Sequence, residues 1–107
     1  MEECEVSVGE LKRRLDRGSK FNLIDVREPY EYEFCHIEGS KLIPVGQVLD
    51  RVKEFSLNAE YVFCCHTGER SGWVVNYLRQ HGFTKVKNLT GGIDAWALEI
   101  DPSMPRY

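Results

Sequence analysis

The sequence has no apolar run of the roughly 18–20 residues that a transmembrane helix requires, so we expect no membrane span. It also has no excess of basic residues. With 14 Lys and Arg against 17 Asp and Glu, the formal net charge is −3, which argues against a nucleic-acid-binding surface. Residues 1–4 are acidic and lack the basic and then apolar regions of a signal peptide. We therefore expect a cytoplasmic protein in which residues 1–107 form one compact domain.

Cysteine is scarce and unevenly placed. The four cysteines are Cys4, Cys35, Cys64 and Cys65, and the adjacent pair does not fit a disulfide framework. Adjacent ligands also do not match the usual spacings of zinc sites, so we expect no metal and no cofactor. In a reducing compartment an exposed cysteine is more often catalytic than structural. The adjacent pair is therefore the first candidate for chemistry.

This pair lies in the most informative segment of the chain, residues 61–71, with the sequence YVFCCHTGERS. A short apolar run leads into a polar loop, which closes with Arg70 and Ser71 before a helical pattern begins. The backbone N–H groups of such a loop and the dipole of the following helix stabilise negative charge. A cysteine thiolate held there is predicted to be a nucleophile.

Strand and helix patterns alternate along the chain. The predicted strands cover residues 5–6, 22–26, 41–44, 61–64 and 85–89. One of the helices between them is marked by Val48, Leu49, Val52 and Phe55. This order predicts right-handed crossovers and a mostly parallel five-stranded sheet with helices on both faces, an α/β/α sandwich. Ligands of such sheets bind beyond the carboxyl ends of the strands, where Asp25, Arg27 and Cys65 fall.

Four sequence pieces, in this order and spacing, resemble the rhodanese family of sulfurtransferase domains over nearly the whole chain. They are residues 23–28 with 30–32, then 36–40, 65–71 and 91–96. The resemblance implies a three-layer α/β fold and a persulfide-forming cysteine before x-x-Gly-x-Arg-Ser, which is Cys65. It also implies a loop that surrounds the sulfur or the anionic end of the donor, formed by His66, Thr67, Gly68, Glu69, Arg70 and Ser71.

The chemistry implied by the resemblance has two steps. The Cys65 thiolate attacks the outer sulfur of a thiosulfate or protein persulfide donor, and an acceptor nucleophile then takes that sulfur from the Cys65 persulfide. Loop amides and Arg70 are expected to stabilise the thiolate and the persulfide anion. Asp25 and Arg27 are expected to form an ion pair that braces the loop.

The tail of the chain has a finer resemblance. Residues 91–96, 101–103 and 105–107 are similar to the C-terminal rhodanese domain of adenylyltransferase-sulfurtransferases. That subgroup sulfurylates ubiquitin-like sulfur-carrier proteins in molybdopterin and related pathways, so the resemblance implies such a carrier as the acceptor.

The chain also departs from the family pattern. Cys35 stands where the family usually has glycine, and Glu38 where proline is common. Glu69 adds a carboxylate to the loop, which disfavours the thiolate and repels a dianion such as thiosulfate. We therefore expect poor use of thiosulfate and better use of a protein persulfide donor.

Two other functions fit parts of the sequence. Counted from Cys64, the segment gives Cys-x5-Arg-Ser, the spacing of cysteine phosphatases, and cell-cycle phosphatases and arsenate reductases share this fold. Gly68 lies three residues after Cys65, as the sulfurtransferase pattern requires. Strand alternation is expected to turn Cys64 into the core and Cys65 toward the loop. The third possibility is a rhodanese-like module that binds a partner without catalysis.

Overall fold

The computed structural model describes residues 4–107, so most of the acidic start considered above lies outside the described residues. The described part contains five strands: β1 (Glu5–Val6), β2 (Asn22–Asp25), β3 (Lys41–Leu42), β4 (Tyr61–Cys64) and β5 (Val86–Leu89). Its α-helices are α1 (Val8–Asp16), α2 (Pro29–Phe34), α3 (Val45–Arg51), α4 (Glu69–Gln80) and α5 (Gly92–Glu99), and a 3-10 turn covers Val52–Glu54. None of the helices in this part is long and apolar enough to cross a membrane.

The strands form one sheet in the order β1-β5-β4-β2-β3, and each neighbouring pair is parallel. β4 lies at the centre, where Asp25 of β2 pairs with Cys64 and Asn88 of β5 pairs with Phe63. The helical connections between the parallel strands place the carboxyl ends of β2, β4 and β5 at one edge of the sheet. The predicted five-stranded parallel α/β architecture is confirmed.

The two faces of the sheet are buried under different helices. On one face, Ile24 and Phe63 belong to a cluster completed by buried side chains of α3 and α4. On the other face, Leu23 and Val62 belong to a cluster completed by buried side chains of α1 and α5. Adjacent residues of a strand thus enter different clusters, as side-chain alternation requires. Helices cover both faces, which gives the expected three layers.

Several elements begin or end elsewhere than the sequence pattern predicts. β2 ends at Asp25 and β3 at Leu42, whereas the predicted strands extend to residues 26 and 44. Pro44, which has no N–H to donate to a strand, is the residue that precedes α3. α4 already begins at Glu69, so Arg70 and Ser71 form its first turn rather than the end of a loop. This places their backbone N–H groups at the positive end of a helix.

Candidate active site

Cys65 lies immediately after β4, at the carboxyl edge of the sheet, and is only 1% exposed. Its Sγ accepts hydrogen bonds from the backbone N–H of Gly68 at 3.1 Å and of Ser71 at 3.4 Å. The Ser71 hydroxyl lies 3.3 Å from the same sulfur. Three donors at the start of α4 thus converge on one thiol, and a thiolate would be stabilised there by both hydrogen bonds and the helix dipole.

Gly68 makes this convergence possible. Its φ of 105° is a left-handed conformation that disfavours residues with a side chain. The turn at Gly68 starts α4 and directs the Gly68 N–H back toward the sulfur of Cys65. A substitution that added a side chain would therefore change the direction of the N–H group that is closest to Sγ.

A buried polar side chain of β5 holds the start of α4 in place. Asn88 Nδ2 donates to the carbonyl of Gly68 at 3.1 Å and to the carboxylate of Glu5 at 3.3 Å. Its Oδ1 lies 2.5 Å from the Ser71 hydroxyl. That hydroxyl carries one hydrogen, so it donates either to Asn88 or to Cys65. The arrangement allows the Ser71 hydroxyl to turn toward the sulfur when Cys65 carries negative charge.

The N-terminus of α5 fixes the other end of the cysteine loop. The N–H of Ile93 donates to the carbonyl of Cys65 at 2.9 Å, and the N–H of Asp94 donates to the carbonyl of His66 at 3.0 Å. The backbones are so close that a Cβ at Gly92 would lie 2.3 Å from the Cys65 carbonyl oxygen. Only glycine permits this approach, which holds the backbone on both sides of the thiol.

Asp25 and Arg27 form an ion pair beside the loop, and neither has exposed surface. Arg27 Nη2 donates to Asp25 Oδ2 at 2.7 Å and to the carbonyl of Cys35 at 2.6 Å. Arg27 Nη1 lies 3.3 Å from the carbonyl of Glu31. The buried guanidinium therefore ties the end of β2 to α2, and its charge is balanced by the adjacent carboxylate.

Arg70 forms a second ion pair at the site. Its Nη1 and Nη2 donate to the two carboxylate oxygens of Glu31 at 2.7 Å and 3.0 Å. Glu31 also accepts from the backbone N–H of Glu28 and from the hydroxyl of Tyr107. The pKa of Glu31 is lowered to about 2, chiefly by Arg70 and in addition by these two donors. The sequence predicts that Arg70 stabilises the thiolate. In the structure its guanidinium binds the Glu31 carboxylate, and its role toward Cys65 stays a prediction.

Cys64 lies in a different environment from its neighbour. It has no exposed surface and belongs to the apolar cluster beneath α1 and α5. Burial, followed by the nearby Asp25 carboxylate, raises the pKa of the Cys64 thiol well above its usual range. Cys64 thus has the surroundings of a small core hydrophobe.

The structure separates the remaining predicted loop residues by exposure. Thr67 and Glu69 are exposed, and His66 is partly buried against the ring of Tyr107.

Within residues 4–107, no three His, Cys, Asp or Glu side chains are grouped so that they could hold a metal ion. All four cysteines are free thiols. The side chains gathered at the site therefore offer one sulfur nucleophile, hydrogen-bond donors and two ion pairs.

Three residues of the site were not identified from the sequence: Glu31, Asn88 and Tyr107. Glu31 could have been noticed as the third residue after Glu28 at a helix that begins with proline, the spacing of a capping box, which the structure contains. Asn88 is a polar residue in an otherwise buried part of a strand. The tail was noted for its resemblance to relatives, but nothing local to Tyr107 indicates its contacts.

The chain is similar to several known proteins. Residues 7–99 match the family model described as "Rhodanese-like domain". The "Putative sulfur carrier protein YrkF" of Bacillus subtilis is 38% identical over 92 residues, which cover 86% of this chain and 50% of YrkF. The "Probable adenylyltransferase/sulfurtransferase MoeZ" of Mycobacterium tuberculosis is 37% identical over 100 residues, covering 92% of this chain and 26% of MoeZ.

A solved structure shows the same fold. The human single-domain sulfurtransferase TSTD1 superposes with a TM-score of 0.79 at 26% identity, covering 90% of this chain and 96% of the human one. The chain spans only half of YrkF and about a quarter of MoeZ. What those longer proteins do as a whole therefore does not transfer directly to this chain.

Proposed function

The chain belongs to the rhodanese-like domain family, and we propose that it is a sulfurtransferase that carries sulfane sulfur as a persulfide on Cys65. The observation that supports this most is the convergence of the Gly68 N–H, the Ser71 N–H and the Ser71 hydroxyl on the Cys65 sulfur. These donors would stabilise the attacking thiolate and the anion of the persulfide that it forms.

The first step transfers one sulfur atom. The Cys65 thiolate forms a bond to the outer sulfur of a donor R–S–SH, the donor's S–S bond breaks, and its electron pair leaves with R–S⁻. In the second step an acceptor nucleophile attacks the outer sulfur of the Cys65 persulfide, and the Cys65 thiolate is the leaving group. No electrons are gained or lost overall, so the cycle requires no redox cofactor.

We expect a persulfide donor to be preferred to thiosulfate. In transfer from thiosulfate the Cys65 thiolate meets a dianion, so thiolate and donor together carry three negative charges. With a protonated persulfide as donor, the thiolate and the reacting R–S–SH group together carry one. Arg27 and Arg70 are each paired with a carboxylate, and Glu69 adds an exposed negative charge at the start of α4. These pairings support the donor preference, because an arginine whose charge is balanced by a carboxylate offsets less of the repulsion between the thiolate and a dianion.

A small sulfur-carrier protein is the proposed class of acceptor. The names of YrkF and MoeZ refer to sulfur carriage and to adenylyl and sulfur transfer. The tail of the chain resembles the tail of the adenylyltransferase-sulfurtransferases. Incubation of the persulfidated protein with a purified small carrier protein that has a reactive cysteine would test this. The carrier thiolate attacks the outer sulfur, the Cys65 thiolate leaves, and the carrier gains the mass of one sulfur atom.

The central test uses the two neighbouring thiols as matched variants. After incubation with glutathione persulfide, mass spectrometry of wild-type protein should show the mass of one added sulfur on the peptide that contains Cys65. Cys65→Ser should lose both this adduct and sulfur transfer to cyanide, whereas Cys64→Ala should keep both. Loss of the adduct only in Cys64→Ala would contradict the assignment.

The same variants test the other two functions. A phosphatase that used Cys64 would release phosphate from para-nitrophenyl phosphate and lose this activity in Cys64→Ala. The apolar cluster that surrounds Cys64 on the opposite face of the sheet from Cys65 argues against that outcome. A binding module without chemistry would form no sulfur adduct at any donor concentration.

A further inference from the structure

The tail of the chain crosses the candidate active site. Arg106 forms an ion pair with Asp94 of α5 at 2.9 Å, and the carbonyl of Pro105 lies 3.5 Å from the Cys35 thiol. Between these contacts and the site, the ring of Tyr107 stacks on the ring of His66, with centroids 4.0 Å apart and planes inclined by 8°. The tail therefore reaches the residue that directly follows Cys65.

The Tyr107 hydroxyl connects the two ion pairs of the site. It accepts a hydrogen bond from Arg27 Nη1 at 2.8 Å and donates one to Glu31 Oε2 at 2.8 Å. Glu31 in turn binds Arg70 through both carboxylate oxygens. Burial and the nearby Glu31 carboxylate raise the pKa of Tyr107 to about 12, although Arg27 opposes this, so the hydroxyl keeps its proton at neutral pH.

Tyr107 consequently contacts both sides of the cysteine loop. Its ring fixes His66, which follows Cys65, and its hydroxyl fixes Glu31, which binds Arg70 in the first turn of α4. The position of that first turn determines where the Gly68 and Ser71 N–H groups meet the sulfur. Side chains in mutual contact at both ends of a short loop restrict its conformations, and such preorganisation is what positions donors before a reaction begins.

We propose that Tyr107 is a positioning residue for sulfur transfer, which acts through Glu31 and Arg70 on the donors around Cys65. The proposal rests on the proposed function for its kinetic consequence, but its structural consequence does not depend on that function. Tyr107 itself makes no contact with the reacting sulfur in this arrangement, so the hydroxyl should affect the rate of transfer more than the binding of the donor.

The test removes the hydroxyl and keeps the ring. Tyr107→Phe retains an aromatic side chain that can stack on His66 but deletes both hydrogen bonds to charged groups. With glutathione persulfide as donor and cyanide as acceptor, we expect kcat to fall about tenfold, with KM changed less than about twofold. Tyr30→Phe is the matched control, because Tyr30 is also on the surface and is 74% exposed. The control should keep wild-type kcat and KM.

A second readout follows the loop directly. In ¹H–¹⁵N correlation spectra, Tyr107→Phe should shift the amide resonances of Gly68 and Ser71, which donate to the Cys65 sulfur. Wild-type kcat together with unshifted Gly68 and Ser71 resonances would overturn the proposal. In that case the tail would pack on the surface without affecting the cysteine loop.

A milder variant covers the case in which Tyr107→Phe does not fold. Arg106→Ala removes the ion pair that holds the tail on α5, and a smaller loss of kcat with shifts at the same two amides is expected. Unchanged kcat and amides in Arg106→Ala would then overturn the proposal. If wild-type protein accepts no sulfur, the proposed function fails, whereas the amide shifts still test the role of Tyr107.

Discussion

Cys64 and Cys65 are adjacent in sequence, yet the structure places their side chains on opposite faces of the sheet. Cys64 enters the apolar cluster beneath α1 and α5, whereas Cys65 lies on the face covered by α3 and α4, at the start of the polar loop. Both thiols are almost completely buried. Burial therefore does not distinguish a reactive cysteine from a structural one in this chain.

The difference lies in what surrounds each sulfur. Hydrogen-bond donors from the first turn of α4 converge on Cys65. The pKa of the Cys64 thiol is raised by burial and by the Asp25 carboxylate, so it stays a neutral thiol. A reactive cysteine requires donors that are already oriented toward the sulfur.

The largest effect on stability is expected at Gly92, where the start of α5 contacts the backbone of Cys65 and His66. In Gly92→Ala a Cβ would lie 2.3 Å from the Cys65 carbonyl oxygen and 2.7 Å from that of His66, at a φ of 57°. We expect a loss of about 3–5 kcal/mol in the free energy of unfolding. Chemical denaturation monitored by circular dichroism measures this.

Gly46→Ala is the control for that substitution. Gly46 lies in α3, and no atom is within 4 Å of the position that its Cβ would occupy. Alanine there should be neutral or stabilising by about 0.5–1 kcal/mol, because it favours the helix. Equal effects of the two substitutions would show that α5 does not hold the loop as closely as the structure indicates.

The second prediction concerns the ion pair between Glu31 and Arg70. Since the pKa of Glu31 is lowered from 4.5 to about 2, its contribution is fully present above pH 4.5 and is lost as the pH falls toward 2. Glu31→Gln keeps the shape but cannot titrate. Between pH 4.5 and 2, wild-type protein should lose up to about 3 kcal/mol more stability than this variant.

The measurement is the free energy of unfolding as a function of pH for both proteins. Other carboxylates titrate in both, so the difference between the two curves isolates Glu31. Parallel curves would mean that Arg70 does not hold Glu31 in its charged form. At neutral pH the same variant should also improve the use of thiosulfate, because Arg70 would then carry an unbalanced positive charge.

The sequence predicted the elements better than the connections between them. The alternation of strand and helix patterns along the chain was sufficient to identify the parallel five-stranded sheet. Glu69 shows the limit of such patterns, because a polar first helical turn has the same composition as a loop. The start of α4 therefore became visible only with the left-handed Gly68.

In the candidate site, too, the local features were predicted from the sequence and the long-range contacts were not. The position of Cys65 and its loop followed from a local motif, and strand alternation was sufficient to separate it from Cys64. The partner of Arg70 did not follow, because Glu31 is 39 residues away and Tyr107 is 76 residues from Glu31. Contacts between residues so far apart depend on how the helices pack, and a single sequence has no periodic signal for them.

The third prediction concerns the Ser71 hydroxyl, which lies between the Cys65 sulfur and the side chain of Asn88. Ser71→Ala removes a donor near the Cys65 sulfur and leaves the Oδ1 of Asn88 without that partner. We expect formation of the Cys65 persulfide to slow about tenfold. Stopped-flow mixing with glutathione persulfide measures the rate. Ser19→Ala, far from the loop in the connection before β2, is the control and should react at the wild-type rate.

An unchanged rate in Ser71→Ala would indicate that the hydroxyl donates to Asn88 throughout the cycle. In that case the two backbone N–H groups alone would stabilise the thiolate. The contrast between Cys64 and Cys65 would then depend entirely on the geometry of the loop backbone and on none of its side chains.

The smallest effect is expected on the other side of β4. Cys64→Ala removes one buried sulfur from an apolar cluster and should cost about 1 kcal/mol of stability. Cys64→Ser keeps the size but buries a hydroxyl among apolar side chains, and should cost about 1–3 kcal/mol. Because Cys64 acts as a core hydrophobe, the polar variant should be the less stable, although it is the closer in shape. Denaturant midpoints at unchanged m-values would show this order, and the reverse order would indicate a polar partner for the Cys64 thiol.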